Sequence, residues 1–326
     1  MSTQLIDRFG RHIKYVRISV TDRCDLRCTY CMAEGFKDFE EPAHWLNFDE
    51  LERLVRIFAR LGVARFRLTG GEPLLRRNLP QLVARMRALP GVQDISLSTN
   101  ATQLARHAGA LKQAGLERIN VSLDSLQKDK ISSIVGQDVL HKIMAGLFAA
   151  RACGLAPIKI NMVVMRGVND DEIDAMVDFC MLHGFVLRLI EVMPMGDTGR
   201  NAQYLDLQPV KQHLRLRFDL IEGVFPGGGP ARYLQSPDGS FNVGFITPIS
   251  QHFCATCNRV RLSVDGTLYM CLGQEEKFEL RPLLRAGASD AEIENALRQA
   301  IELKPERHEF IEKPLKIVRF MSATGG

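Results

Sequence analysis

Six runs of β-branched and other apolar residues recur through the first two-thirds of the chain, and amphipathic stretches separate them. The stretch FDELERLVRIFARLG, for example, has the i, i+3, i+4, i+7 apolar spacing of one helix face. This alternation predicts repeated strand–helix units. The predicted strands lie at residues 16–21, 65–70, 94–99, 118–124, 158–165 and 186–193.

A glycine followed by an apolar residue ends most of the helical stretches, as in Gly62-Val63 and Gly184-Phe185. Glycine can take the left-handed conformation that terminates a helix. Strand–helix alternation with short connections implies right-handed crossovers and a parallel sheet. Six units are two short of a closed barrel, so we predict an α/β fold with a partial, open, six-unit β/α barrel. Its chemistry should lie at the carboxyl ends of the strands. A doubly wound open sheet is the alternative.

The pattern changes after a helical stretch near residues 208–218. FPGGGP at 225–230 is typical of a loop. Beyond it, Asp265-Gly266 joins two short β-like segments into a predicted hairpin, and a helix is expected from about Asp290 to Leu303. We therefore predict a barrel domain over residues 1–224 and a smaller α+β appendage over residues 225–326 that closes one side of the barrel.

Composition narrows the compartment and the partners. The chain has 326 residues, and no apolar run approaches the ~20 residues of a membrane span. The first residues lack the apolar stretch of a secretory signal, so we predict a cytoplasmic protein with no membrane partner. Without a basic block, no nucleic acid partner is expected. The net charge of +4 suits an anionic small substrate, although ordinary surface variation explains it equally well.

Three of the eight cysteines, Cys24, Cys28 and Cys31, follow the first predicted strand with the spacing C-x3-C-x2-C. In a reducing compartment, clustered cysteines are more often metal ligands than disulfides. Thiolates at this density suit zinc or an iron–sulfur cluster. A structural zinc site needs a fourth ligand, and none follows at suitable spacing. Three thiolates would instead leave one iron of a [4Fe–4S] cluster open to a small molecule.

A second triad, Cys254, Cys257 and Cys271, has the spacing C-x2-C-x13-C, with the last cysteine at the far end of the predicted hairpin. A zinc knuckle is the alternative, and His252 is the only other ligand nearby. We predict a second [4Fe–4S] cluster with an open iron. The remaining cysteines lie on separate helical stretches and are interpreted as core residues.

Two arginines follow the second triad directly. Alternation along a strand puts Arg259 and Arg261 on the same face, beside the predicted cluster. Two guanidinium groups there suit phosphate oxygens. A solvated pair of charges is the alternative.

The first triad, with Tyr30 before its last cysteine, resembles the signature of the radical S-adenosylmethionine (SAM) superfamily. In that superfamily the open iron chelates SAM, and an electron from the cluster cleaves the sulfonium to release a 5′-deoxyadenosyl radical. Gly70-Gly71-Glu72-Pro73, after the second strand, resembles the superfamily's GGEP motif. We expect its glycines to let the backbone approach a ligand and Glu72 to face an ammonium group.

The motifs TDRCDLRCTYC, RLTGGEP, RINVSLD and FCATCNRVRL, the gap to Cys271 and a terminal Gly-Gly together resemble the GTP 3′,8-cyclase family. The resemblance runs from Arg17 to Gly326. It implies a lyase that converts GTP to (8S)-3′,8-cyclo-7,8-dihydroguanosine 5′-triphosphate, the first step of molybdenum-cofactor biosynthesis. The first cluster would bind SAM and the second would bind GTP through its guanine.

The resemblance also assigns site residues. GTP contacts are expected at Arg17, Arg67, Ser98, Lys159, Arg259, Val260 and Arg261, with Arg188 as a further candidate. SAM contacts are expected at Tyr30, Gly71, Glu72, Ser122 and Met193, although Met193 would serve equally well in the core. The catalytic set is Arg17, Arg259, Arg261, Gly325 and Gly326, the last two in a tail that could instead be frayed.

The chain departs from the family pattern in three places: Ser98 replaces a threonine, Ala101 a glycine and Asp25 an asparagine. Ser98 keeps the hydroxyl, and Ala101 implies a slightly different backbone. Expected partners are a reductant protein and the downstream cyclic pyranopterin monophosphate synthase, and a homodimer is left open. A radical SAM peptide-maturing enzyme and a non-catalytic iron–sulfur electron carrier are the alternative functions. Neither alternative function explains why the chain has both the cationic residues and the GGEP motif.

Overall fold

Parallel strands joined by helices form the first two-thirds of the chain. The computed structural model describes residues 4–31 and 41–324, without the side chains of residues 322 and 323. Its strands are β1 Tyr15–Ser19, β2 Arg65–Thr69, β3 Asp94–Thr99, β4 Arg118–Ser122, β5 Ile158–Val164, β6 Val186–Glu191, β7 Ile221–Gly223, β8 Arg232–Gln235, β9 Asn242–Ile246, β10 Arg259–Leu262, β11 Thr267–Tyr269 and β12 Lys277–Glu279. Its helices are α1 Phe48–Arg60, α2 Leu79–Arg87, α3 Leu104–Gln113, α4 Lys128–Val135, α5 Leu140–Ala152, α6 Ile173–His183, α7 Gly196–Asn201, α8 Leu207–Arg217, α9 Arg281–Arg285, α10 Asp290–Glu302 and α11 Met321–Thr324.

The described strands form one sheet in the order β12-β11-β10-β1-β2-β3-β4-β5-β6-β9-β8-β7. Strands β1 to β6 are all parallel, which confirms the predicted six-unit partial barrel. Further strands extend this six-stranded parallel sheet at both of its edges. β10 pairs in parallel with β1, and β9 pairs in parallel with β6. The C-terminal residues therefore extend the barrel sheet on two sides, whereas the sequence predicted closure of one side.

Strand alternation separates an apolar layer from a polar one. In β1, Val16 and Ile18 are fully buried in the main hydrophobic core. Arg17, between them, must point to the opposite face, because successive strand residues alternate. Helix α1 covers the apolar side: the Asn47 side chain and Glu50 form a capping box at its start, and its apolar stripe is buried. The inner face of the sheet is thus left to polar residues.

The C-terminal elements agree with the predicted hairpin and helix. β10 and β11 pair antiparallel across Asp265 and Gly266, and α10 spans most of the expected range. Strands β7, β8, β9 and β12 were not predicted. The division between residues 224 and 225 stays a prediction, because the sheet runs continuously on both sides of it. None of the described helices is long and apolar enough to cross a membrane.

Candidate active site

The inner face of the barrel is lined by basic side chains at matching positions of neighbouring strands. Arg17 on β1 lies in register with Arg67 on β2 and with Arg261 on β10. A cavity opens between these strands, β5, β6 and the loops of the second triad. The predicted residues that line it are Arg17, Arg67, Arg188, Met193, Cys254, Cys257, Arg259, Val260, Arg261 and Cys271.

The cations around this cavity are crowded and poorly compensated. Burial, followed by the charges of Arg261 and Arg67, holds the pKa of Arg17 well below its ordinary value. Burial and Arg259 lower the pKa of Arg261 to about 9. The buried Nε and Nη2 atoms of Arg17 have no hydrogen-bond partner among the described residues. Because buried charges are normally paired, this arrangement favours a polyanionic ligand.

Lys159, on β5, lies in an adjoining space at the amino-terminal end of the strands. Burial and Arg188 lower its pKa to about 7. Its Nζ atom lies 4.4 Å from the centroid of the Phe225 ring. Phe225 begins the glycine-rich loop predicted at residues 225–230, and this loop lines the same space as Lys159, Arg67 and Arg188. The loop therefore covers the basic inner face at the amino-terminal end of the strands.

The first triad lies at the opposite, carboxyl end of β1, among acidic side chains. The Cys24 Sγ atom accepts hydrogen bonds from the Leu26 backbone N–H at 3.4 Å and from Asn100 Nδ2 at 3.7 Å. Burial, then the nearby Glu72 carboxylate, raises the pKa of the Cys24 thiol. Burial, then Cys31 and Asp124, raises the pKa of Cys28. The three thiols are close enough to influence one another, as ligands of one cluster must be.

Gly70 and Gly71 are required by packing against the loop that carries the first triad. A methyl group at Gly71 would lie 2.1 Å from the carbonyl oxygen of Arg23, and one at Gly70 would lie 2.2 Å from that of Thr21. Gly70 also has φ +153°, a conformation that L side chains rarely adopt. The glycines thus bring the GGEP turn against protein backbone, and the expected approach of this backbone to a ligand stays a prediction.

The Glu72 carboxylate is fully buried and already engaged. It accepts hydrogen bonds from the backbone N–H groups of Leu74 at 3.0 Å and Asn100 at 2.7 Å, and from Thr99 Oγ1 at 2.7 Å. Burial raises its pKa to about 8. These contacts join the GGEP turn to the end of β3. The expected contact between Glu72 and a SAM ammonium group stays a prediction.

Tyr30 is fixed by a buried carboxylate. Its hydroxyl donates to Asp124 Oδ2 at 2.8 Å, and the other oxygen of Asp124 accepts the Val163 N–H at 2.8 Å. Burial raises the pKa of Asp124 to about 6. Ser122, at the end of β4, is exposed, and Ser98 on β3 is half-buried. Tyr30, Ser122 and Gly71 therefore lie at the carboxyl ends of their strands, together with the first triad.

Nearby backbone N–H groups, of His308 at Cys254, Arg259 at Cys257 and Gly273 at Cys271, act to lower the pKa of each thiol of the second triad. Burial raises the pKa of Cys257, but Lys304 and Arg259 outweigh it and bring this pKa down to about 7. The pKa values of Cys254 and Cys271 are raised, burial being the main cause. Backbone N–H groups close to cysteine sulfurs are among the features that tune iron–sulfur clusters. Within residues 4–31 and 41–324, no three or more His, Cys, Asp or Glu side chains are arranged to hold a single metal ion.

Arg319 and Lys304 are functional candidates that the sequence analysis missed. Arg319 Nη2 donates to the carbonyl oxygens of Cys271 at 3.1 Å and Gln274 at 2.8 Å, and its guanidinium stacks on Tyr269 at 4.7 Å. It thereby fastens the C-terminal segment to the loop of the second triad. Both residues look like ordinary surface cations in the sequence, so no local signal marks them.

The C-terminal segment also reaches the first triad. Ile317 and Met321 pack in a small apolar cluster with Met195 and Phe310, against which Cys31 and Leu272 lie. Met321 lines the main cavity, and Thr324 is fully buried. The segment thus bridges the two triads and runs inward. Gly325 and Gly326 lie outside the described residues.

The departure at Ala101 leaves the local backbone in a glycine-like state. Ala101 has φ +64°, in the left-handed region, and is fully buried. Its N–H donates to Thr99 Oγ1 at 3.0 Å, beside the Glu72 contact. Asp25, the other departure near the first triad, accepts from Asn100 Nδ2 at 2.7 Å. Both departures therefore belong to the hydrogen-bonded support of the first triad.

Two family models match the chain. The model of the radical SAM superfamily matches residues 18–180, and that of molybdenum cofactor synthesis C matches residues 185–310. The first covers the units from β1 to α6, and the second covers the remaining strands and the second triad.

Full-length relatives are similar over the entire chain. The GTP 3′,8-cyclase of Ectopseudomonas mendocina is 43% identical, with 100% of this chain and 99% of the relative covered. That of Erythrobacter litoralis is 45% identical, with the same coverage. GTP 3′,8-cyclase 1 of Pseudomonas aeruginosa is 43% identical, over 99% of this chain and 100% of the relative.

Solved structures share the fold. Streptococcus suis SuiB bound to S-adenosylmethionine superposes with a TM-score of 0.62 over 92% of this chain and 74% of SuiB, at 16% identity. SuiB bound to its precursor peptide SuiA gives 0.64 over 97% of this chain and 77% of SuiB, also at 16% identity. At this identity the similarity supports the fold alone, a partial barrel with further C-terminal elements.

Proposed function

Since the chain belongs to the GTP 3′,8-cyclase family of radical SAM enzymes, we propose that its two triads hold two separate clusters, with SAM at the first and GTP at the second. The family, the lyase activity and the GTP substrate are those that the motifs predicted. The reaction is the first step of molybdenum-cofactor biosynthesis. The second cluster and the residue assignments are the new part of the proposal.

The first triad suits the superfamily cofactors. Cys24, Cys28 and Cys31 would ligate a [4Fe–4S] cluster, which together with SAM supplies the 5′-deoxyadenosyl radical that takes hydrogen from the ribose 3′ position. Tyr30, fixed by Asp124, and the GGEP turn would form the wall around SAM. Ser122 and Met193 complete this wall at the ends of the other strands. The carboxylates of Asp25 and Asp124 make this end attractive to a cation, and SAM is one.

The crowded cations of the inner face, and the partnerless guanidinium atoms of Arg17 among them, are the observation that carries the GTP assignment. Arg17, with buried guanidinium atoms that lack a partner, would donate to the triphosphate together with Arg67 and Arg261. Lys159 and Arg188 extend the basic surface, and Ser98 adds a hydroxyl on β3. The three sulfurs of the second triad line the same cavity as these arginines. Triphosphate and cluster therefore share one chamber, in which guanine would reach the open iron.

The remaining assignments concern the ends of the chamber and the partners. The tail ending in Gly325 and Gly326 would enter beside the substrate, since Thr324 is already buried and two glycines need little space. Residues 225–326 would act as the unit that carries the second cluster. A reductant protein would supply electrons, and cyclic pyranopterin monophosphate synthase would take the product. A homodimer stays open.

A SAM-cleavage assay after anaerobic reconstitution tests the proposal. We expect 5′-deoxyadenosine together with a cyclised nucleotide when GTP is present, and slow uncoupled cleavage without it. A peptide-maturing enzyme would show no stimulation by GTP, and an electron carrier would not cleave SAM. Either result would reject the proposed function.

A further inference from the structure

Lys304 is the most deeply buried lysine near the second triad, with 1% of its surface exposed. It follows α10, at a position where a lysine would ordinarily face solvent. Its Nζ atom donates to the carbonyl oxygens of Arg259 at 2.9 Å and Met270 at 2.7 Å. Its third contact is with Cys257 Sγ, at 3.6 Å. An ammonium group has three donors, so all of them are directed at the second triad and its hairpin.

None of these three contacts is a carboxylate. Burying an ammonium charge is costly unless a countercharge is close. Of the three groups that Lys304 Nζ contacts, only the Cys257 sulfur can carry a negative charge, since the other two are carbonyl oxygens. The neighbouring Arg11 differs, because Asp7 pairs with it at 2.6 Å. The sulfur of Cys257, as a ligand of the proposed cluster, is therefore the group that can supply the countercharge of Lys304.

We propose that Lys304 is the built-in countercation and positioning residue of the second cluster, an inference that rests on the proposed function. An oxidised [4Fe–4S] core has two positive charges, and three thiolates bring three negative ones. The net negative charge is then cancelled by one ammonium group. Lys304 also holds the carbonyls of Arg259 and Met270, so it sets the hairpin on which Cys271 and the phosphate-binding arginines sit.

Charge balance of this kind divides the cations of the chamber into two groups. Lys304 is committed to the cluster, with no donor left for a ligand. The arginines on β1, β2 and β10 remain for the triphosphate. Neutralisation by the protein lets guanine, a neutral base, approach the cluster without adding to a buried net charge.

Replacing Lys304 by Met in the full chain tests this inference by its effect on reduction potential. Loss of a positive charge disfavours the reduced cluster, so the midpoint potential of one cluster should fall while that of the other stays constant. Potentials are read by electron paramagnetic resonance in a redox titration of the reconstituted protein. Lys112→Met is the matched control, because Lys112 also donates to a carbonyl, that of Gly154, at 2.9 Å, but at the exposed surface.

Lys304→Gln separates the effect of charge from that of hydrogen bonding. The same potential can be measured in this variant if the Met variant loses its cluster. Glutamine keeps donors for the carbonyls but has no charge. A potential lowered in the Gln variant supports the countercation, and a wild-type potential in it overturns the inference. If the wild-type chain itself binds only one cluster, the proposed function fails at the second triad before Lys304 is tested.

Discussion

The two cysteine triads present the same number of thiols in opposite electrostatic surroundings. The charged neighbours that act most on Cys24 are carboxylates, Glu72 and Asp25, and its pKa is raised. Those that act most on Cys257 are cations, Lys304 and Arg259, and its pKa is lowered to about 7. Local charge therefore distinguishes two sites that the cysteine spacing alone leaves equivalent.

The contrast matches the charges of the ligands. SAM has a sulfonium and an ammonium group, and it would bind at the acidic triad. GTP has a triphosphate and would bind in the chamber of the cationic triad. The positive surroundings of the second triad should also favour its reduced state relative to the first. In the proposed arrangement, charge would steer each ligand to its own triad before any specific contact forms.

The largest effects should come from removing the triads separately. Replacing Cys24, Cys28 and Cys31 by Ala should abolish SAM cleavage and remove about half of the iron, while GTP binding stays. Replacing Cys254, Cys257 and Cys271 by Ala should weaken GTP binding and abolish the product, while uncoupled SAM cleavage stays. Iron analysis, GTP titration and 5′-deoxyadenosine assays measure these outcomes. Loss of SAM cleavage in both variants would contradict two independent sites.

Removing the two glycines that follow the segment bridging the triads should abolish product formation without affecting either cluster. Deletion of Gly325 and Gly326 should leave iron content, SAM binding and uncoupled SAM cleavage unchanged, because Arg319 still holds the preceding residues on the Cys271 loop. A C-terminal tag should have the same effect, since added side chains would block entry. Product analysis by mass spectrometry decides. A normal yield of cyclised nucleotide from the truncated enzyme would show that the tail is not needed.

Weakening the cationic side should affect GTP alone. Arg259→Ala and Arg261→Ala should each raise the dissociation constant for GTP about 10- to 100-fold, since a charge-assisted hydrogen bond contributes about 1.5–3 kcal/mol. Guanosine has no phosphates and should bind the wild type and both variants about equally. Calorimetric titration of both ligands, with SAM as the control, measures this. Equal losses for GTP and guanosine would assign these arginines to guanine recognition or structure.

Lys159 gives the smallest effect, a pH dependence. With a pKa of about 7 in the free protein, Lys159 loses its proton as the pH rises through 7. Bound phosphates favour the charged form, so GTP binding above pH 7 takes up a proton and its affinity falls by at most about tenfold per pH unit. Lys159→Arg stays charged and should lose this part of the slope. Calorimetry in buffers of different ionisation enthalpy counts the proton directly, and identical proton uptake in both proteins would exclude Lys159.

The sequence predicts those parts of the structure that depend on local pattern. Strands β1 to β6 and their helices follow from alternation, helical spacing and glycine at the helix ends. Strand β9 was missed because its residues, NVGFI, contain a glycine and no helical unit accompanies them. The pairing of β1 with β10 could not be predicted either, because it joins residues that are far apart in the chain.

The site shows the same division. The cysteines, GGEP and the arginines have short motifs that could be recognised. Lys304 and Arg319 have none, because their importance comes from carbonyls supplied by other segments. The packing reason for Gly71 was likewise not predictable from the sequence, since only the fold shows that the Arg23 carbonyl lies where a side chain would be. Residues whose function is to support others are recognised only in three dimensions.

The position of β1 between β2 and β10 has a consequence for biosynthesis of the protein. A nascent chain can pair β1 with β2 early, but the other edge of β1 stays open until Arg259–Leu262 leaves the ribosome. At roughly 5–20 residues per second, this interval lasts on the order of ten seconds or more. An open strand edge is a site for aggregation until another strand covers it. Strand β10, which lies between Cys257 and Cys271 of the second triad, thus also protects the first strand.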